Sequence, residues 1–150
     1  MSTFASPHLS FEELSCHDAM RSCYPLDYRL DPDRLPALCA MFEAIRAECT
    51  REAEMPCPLI VLSAYRTPAY QAVLQAHPAY KAAKNSQHVQ GRALDLACPR
   101  LLTFDQFTNA VKRASAYPTS PLRYIEFRPT MRYIHVDCRP TKKLVEETVP

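Results

Sequence analysis

The chain has 150 residues, of which 47% are hydrophobic and 23% charged, the composition of an ordinary globular domain long enough to bury a real core. Its formal net charge is +2 with no basic run, so composition gives no support to nucleic-acid binding. No apolar stretch approaches the roughly 20 residues that a membrane helix needs.

Residues 1–150 read as one domain, with a core over about 8–140 and an exposed tail over 141–150. The opening MSTFASPHLSFEEL lacks a basic start followed by an apolar block, so no signal peptide is expected and synthesis in the cytoplasm is. Seven cysteines (Cys16, Cys23, Cys39, Cys49, Cys57, Cys98 and Cys138) form no CxxC pair, and their number is odd. That argues against a complete disulfide framework and against a zinc ribbon, and for free thiols in a reducing compartment.

Residues 31–54 read as the first helix. Asp31 is placed to cap it, Pro32 suits its first turn, and Leu35, Leu38, Phe42, Ile45 and Cys49 recur at steps of three and four. PLIVLSAYR (58–66) begins as a continuous apolar run, the pattern of a buried strand. Thr67 and Pro68 then open a second helix with Tyr70, Val73, Leu74 and His77 on one face. NSQHVQGRALDLAC predicts a strand end, a turn at Gly91, and a strand with Ala93, Asp95 and Ala97 opposite Leu94 and Leu96. Thr103 and Gln106 form a capping box for a third helix carrying Phe107, Val111 and Ala114. Residues 123–127 and 132–138 read as strands joined by a turn at Pro129-Thr130. The fold class expected is α+β, with helices flanking a central, mostly antiparallel sheet.

The alternation also places the polar residues. In the last strand His135 and Asp137 share a face opposite Ile134 and Val136. Asp95 lies on the polar face of its own strand, and His88 stands just before the turn. Two neutral imidazoles and one carboxylate make a three-ligand set for a catalytic zinc that leaves a fourth position for water. Gly91 is the only glycine in the chain. It is expected at a sharp turn between His88 and Asp95, with positive φ or with no room for a Cβ.

SQHVQGRALD (86–95) carries S-x-H-x-x-G-x-A-x-D at every fixed position: Ser86, His88, Gly91, Ala93 and Asp95. With IHVD (134–137) downstream, it resembles the zinc D-Ala-D-Ala carboxypeptidase family, peptidase family M15. LSAYRTPAYQ resembles the family's S-G-Y-R segment through Ser63, Tyr65, Arg66 and Tyr70. HLSFEELSC resembles the lead-in of its subfamily A. The resemblance runs over roughly residues 8–140. It implies a hedgehog-like DD-peptidase fold and zinc-dependent hydrolysis of a peptide bond in bacterial peptidoglycan, by a carboxypeptidase, an endopeptidase or a bacteriophage endolysin.

Carried over by position, the resemblance makes His88, Asp95 and His135 the ligands of Zn2+. Arg66 becomes the arginine that binds a substrate carboxylate or carbonyl oxygen, the alternative being a structural salt bridge. Ser86 and Asp137 become groups that orient the ligands, with a surface carboxylate as the alternative for Asp137. The partner implied is a peptidoglycan stem peptide, reached after release or delivery from the cell.

Three departures from the family pattern stand out. Many members place a glutamate three residues before the last histidine ligand, and here that position is Arg132, which cannot act as a base. Glu126 is the nearest candidate for the general base; the alternative is a solvated glutamate paired with Arg128 or Arg132. Ala64 and Gln71 replace the usual glycine and asparagine. Cys98 and Cys138 each lie three residues past a proposed ligand, a spacing that along a strand turns them toward the core. The missing glutamate leaves open a second class of function: a catalytically weak or inactive member that serves as a virion structural or cell-wall binding component with virion assembly partners.

Overall fold

A computed structural model describes residues 4–17, 23–24, 33–80 and 82–150. The expected cap at Asp31 and the Pro32 in the first turn lie outside the described residues. Two short antiparallel pairs come first: β1 (Phe4–Ser6) with β2 (Leu9–Ser10), and β3 (Cys16–His17) with β4 (Cys23–Tyr24). Between them the one-turn helix α1 (Phe11–Leu14) opens on a capping box in which Ser10 and Glu13 satisfy each other's backbone N–H.

Helix α2 (Arg34–Ala53) buries Leu38, Met41, Phe42, Ile45, Glu48 and Cys49, which is the expected stripe with Met41 and Glu48 added and Leu35 only partly buried. It ends at Glu54, which takes the left-handed conformation at φ 56°. Helix α4 (Phe104–Ser115) carries the expected Thr103–Gln106 capping box and buries Phe107, Ala110, Val111 and Ala114. Its apolar face packs with that of α2 against Leu94, Leu96, Ile125, Ile134 and Val136 of the sheet. Each of those large side chains contributes roughly 1.5–3 kcal/mol by leaving water.

The main sheet is mixed, with strand order β5-β6-β8-β7-β9. The strands are β5 (Ile60–Ser63), β6 (Ala93–Ala97), β7 (Tyr124–Arg128), β8 (Tyr133–Asp137) and β9 (Val145–Thr148). Every pairing is antiparallel except β7–β9. The fold is therefore α+β as expected, with one parallel edge.

Three expectations need correction. β5 is not buried: it is an edge strand, with Ile60 60% and Leu62 57% exposed. The apolar run reflects a strand whose outer neighbour is absent among the described residues, and only Val61 leans on the core. Second, helix α3 (Pro68–Ala76) starts at Thr67 as predicted, but it buries Gln71, while Val73 is 61% exposed. Its inner face meets a polar loop, not the core: the Gln71 amide donates to the Ala83 carbonyl at 2.9 Å. Third, no strand precedes Gly91; residues 87–91 form a turn. The tail's side chains are exposed, and its backbone supplies β9.

Candidate metal centre

The register of the sheet sets one polar row across all five strands. Ser63 lies opposite Asp95, Asp95 opposite His135, His135 opposite Glu126, and Glu126 opposite Glu147. Strands stand about 4.8 Å apart, so side chains on one row of one face meet. The other face carries Leu94, Leu96, Ile125, Ile134 and Val136 to the core, which forces this row to the outer face. Between Val61 and Ser63 the register slips, a bulge beside the site that aims Ser63 Oγ at the Arg66 Nε, 2.9 Å away.

His88 reaches the row from the turn. Gly91 N–H donates to the His88 carbonyl at 3.0 Å, and Arg92 N–H to the Gln87 carbonyl at 3.0 Å. That bond pair is a Schellman motif, which needs a left-handed residue, and Gly91 has φ 65° and is buried. The expected reason for the single glycine thus holds. Ser86 Oγ accepts the His88 backbone N–H at 3.2 Å and caps the front of the turn.

Ligand atoms of His88, Asp95 and His135 all lie within 4.8 Å of one another. His88 Nδ1 donates to the Ala64 carbonyl at 2.6 Å, which turns Nε2 to Asp95 Oδ1 at 3.2 Å. His135 presents Nε2 to Asp137 Oδ2 at 3.1 Å and Nδ1 to the same Asp95 oxygen at 2.8 Å. Two ring nitrogens and one carboxylate oxygen thus converge.

The donor set suits a divalent cation on its own chemistry. A carbonyl only accepts, so His88 carries its proton on Nδ1, and a neutral His88 then points the Nε2 lone pair at a carboxylate oxygen. Burial holds His88 toward that neutral form, below its usual pKa. Lone pair facing lone pair is repulsive, and a cation between them turns repulsion into coordination.

His135 shows the same demand from the other side. Burial alone would lower its pKa, but hydrogen bonds to Asp137 and Asp95 outweigh it and raise it to about 9. Burial likewise works to raise Asp95, and the two imidazoles beside it, His88 and His135, prevail and hold its carboxyl well below the usual range.

Each convergent residue has an outer partner, the arrangement that fixes ligands around a metal. His88 has the Ala64 carbonyl, His135 has Asp137, and Asp95 Oδ2 has Arg66 Nη2 at 3.0 Å. Asp137 is fully buried, not a surface carboxylate. Arg139 grips it through Nε at 2.8 Å and Nη2 at 2.6 Å. Arg66 shows the salt-bridge geometry named as its alternative, its fork shared among Asp95, Ser63 and Gln71. Glu126 lines the same cleft, of about 320 Å³, with Oε1 paired to the Arg128 Nε. Arg132 takes a positive φ of 54° and turns its guanidinium to Cys98 Sγ at 3.3 Å. Cys98 and Cys138 pack partly buried against the core and are not among the convergent residues.

Sequence reasoning passed over Arg139, and it named Gln71 only as the replacement for the usual asparagine, not as a buried residue. Arg139 follows Asp137 by two, a parity signal that was present in the chain. Gln71 had no such signal, because its burial depends on the loop that α3 happens to meet.

Two imidazoles and a carboxylate that could hold a metal ion line an open cleft, with no fourth protein donor converging on them among the described residues, an arrangement that suits a catalytic site better than a closed structural one. A family model described as peptidoglycan L,D-endopeptidase MepK matches residues 29–144. The chain belongs to this M15 peptidase family, and a peptidoglycan-hydrolysing peptidase is the activity the family supports. No curated protein and no solved structure matches the chain. Among the described residues no helix is long and apolar enough to cross a membrane.

Proposed function

We propose that the protein is a zinc-dependent peptidase that cuts a peptide bond within cross-linked peptidoglycan, with His88, Asp95 and His135 as the metal ligands. The observation that carries this reading is the convergence of His88 Nε2, His135 Nδ1 and Asp95 Oδ1, each held by an outer partner. Endopeptidase cleavage is preferred to D-Ala-D-Ala carboxypeptidase cleavage because the matching family model is described as an L,D-endopeptidase.

Bound zinc would supply a Lewis acid for the scissile carbonyl and a water of lowered pKa. The chain's own groups do the rest. Ala64 and Asp137 keep the two imidazoles in the tautomers that face the centre. Arg66 holds Asp95 by its second oxygen and stays cationic at the cleft wall, where it offers charge to a developing oxyanion. Glu126 Oε2 is the proton acceptor of the cleft, since Oε1 is engaged by Arg128.

Mass spectrometry of muropeptides after incubation with purified protein tests the reading. New products cut between stem-peptide residues, lost in Glu126→Gln, are expected. Intact muropeptides with a zinc-loaded protein would overturn it. The Glu126–Arg128 pair and Arg132 in place of the family's glutamate favour a second reading, a non-catalytic cell-wall binding member with virion partners, which that second result would favour.

A further inference from the structure

Glu126 and Glu147 face each other directly across the β7–β9 pair. Like charges directly opposite in a sheet are destabilising. The pairing is therefore a cost that calls for a cause, and the Tyr124 hydroxyl supplies one. It lies 2.6 Å from Glu147 Oε2 and 3.2 Å from Glu126 Oε2. A phenol has one proton to donate, and the shorter contact takes it.

The ring itself is fixed. Arg139 stacks over its face at 3.9 Å from the centroid, and the His135 ring meets its edge at a centroid distance of 5.9 Å. Tyr124 is thereby held beside the two carboxylates, with both within reach of its proton. Glu126 Oε1 is already engaged by Arg128. If Tyr124 donated to Oε2 as well, each oxygen would already accept one hydrogen bond, and the carboxylate would be a weaker proton acceptor.

We propose that Glu147 of β9 is a positioning residue for Glu126: it draws off the Tyr124 hydroxyl proton and leaves Glu126 Oε2 open to the cleft. This rests on the assignment of Glu126 as the proton acceptor. β9 lies beyond the 29–144 stretch that the family model covers, so the inference gives a role to a strand the family description does not reach.

The test is steady-state hydrolysis of purified cross-linked muropeptides by the zinc-loaded full chain, with zinc content and thermal unfolding measured on each variant. Glu147→Ala is expected to lower kcat about tenfold, part of the 10²–10⁴ that a general base supplies, with KM changed less than about twofold. Zinc stoichiometry and Tm stay near the wild-type values, because Glu147 is exposed. Adding Tyr124→Phe to Glu147→Ala removes the misdirected proton and restores kcat to within about threefold. Glu147→Gln keeps an acceptor oxygen and retains most of kcat.

A Glu147→Ala kcat within twofold of wild type overturns the inference, as does a double variant no faster than the single one, or a Glu147→Gln loss as deep as that of alanine. Glu126→Gln separates the two readings. If it remains active, the base assignment fails; if it is inactive while Glu147→Ala is unimpaired, only the role of Glu147 fails.

Discussion

Replacing Gly91 with alanine tests the backbone logic of the site without touching a ligand. Gly91 sits at φ 65°, and its N–H closes the Schellman bond to the His88 carbonyl. An L-residue in that conformation costs roughly 1–2 kcal/mol. The position is buried, so the new methyl adds overpacking of about 1 kcal/mol or more. The stiffer unfolded chain returns about 0.4–1 kcal/mol. The net loss is about 2 kcal/mol, which at this chain length lowers Tm by roughly 4–8 °C. Glu54 supplies the internal control. It holds the same left-handed conformation at φ 56° at the exposed end of α2, so Glu54→Gly relieves strain and is expected to stabilise by about 0.5 kcal/mol. Urea unfolding of both variants reads the two signs. A Gly91→Ala loss below about 0.5 kcal/mol, or a destabilised Glu54→Gly, would refute the argument that left-handed geometry is why the single glycine stands there.

Metal analysis should find about one zinc per chain, absent from His88→Ala and from His135→Ala; retention in both would remove the ligand assignment. Asp137→Asn is expected to weaken zinc affinity by about 10–100-fold in a chelator competition, because the amide no longer takes the His135 proton as a carboxylate does. Glu48 is 3% exposed on α2 and accepts from Arg113 and Tyr117 of the α4 side. Glu48→Ala should cost about 3 kcal/mol by urea unfolding, the low end of the range for a broken buried pair because Arg113 keeps some access to water. Burial would raise the Glu48 pKa, and the Tyr117 and Arg113 hydrogen bonds outweigh it and lower it. A carboxylate depressed in the fold contributes stability that is full above its unfolded pKa of about 4.3 and is lost as pH falls through the folded value. Stability measured from pH 6 down to pH 3 should therefore fall less steeply in Glu48→Ala than in wild type.

Much of the site was legible in the chain because its cues are local. The fixed positions of SQHVQGRALD, the parity of IHVD and the caps at Thr67 and Thr103 each depend on residues a few places apart, and local sterics govern them. The α2 stripe was legible for the same reason, although Glu48 on that stripe was not, since its burial needs Arg113 and Tyr117 from 65 and 69 residues away. The exposed face of β5 escaped because an apolar run reports hydrophobicity and not the number of neighbours a strand will have.

What the sequence by itself supplied is the candidate set, His88, Asp95 and His135, and the face of its strand that Asp95 and His135 each occupy. Only the tertiary structure decided that Asp95, His135, Glu126 and Glu147 fall on one row, that Arg66 spends its fork on Asp95, and that the tail returns as a parallel strand. The reason is register. Periodicity along a chain fixes the face of a strand, but the partner opposite each residue is set by pairing between distant segments, and a slip of one place would have sent every one of these groups to the other side of the sheet.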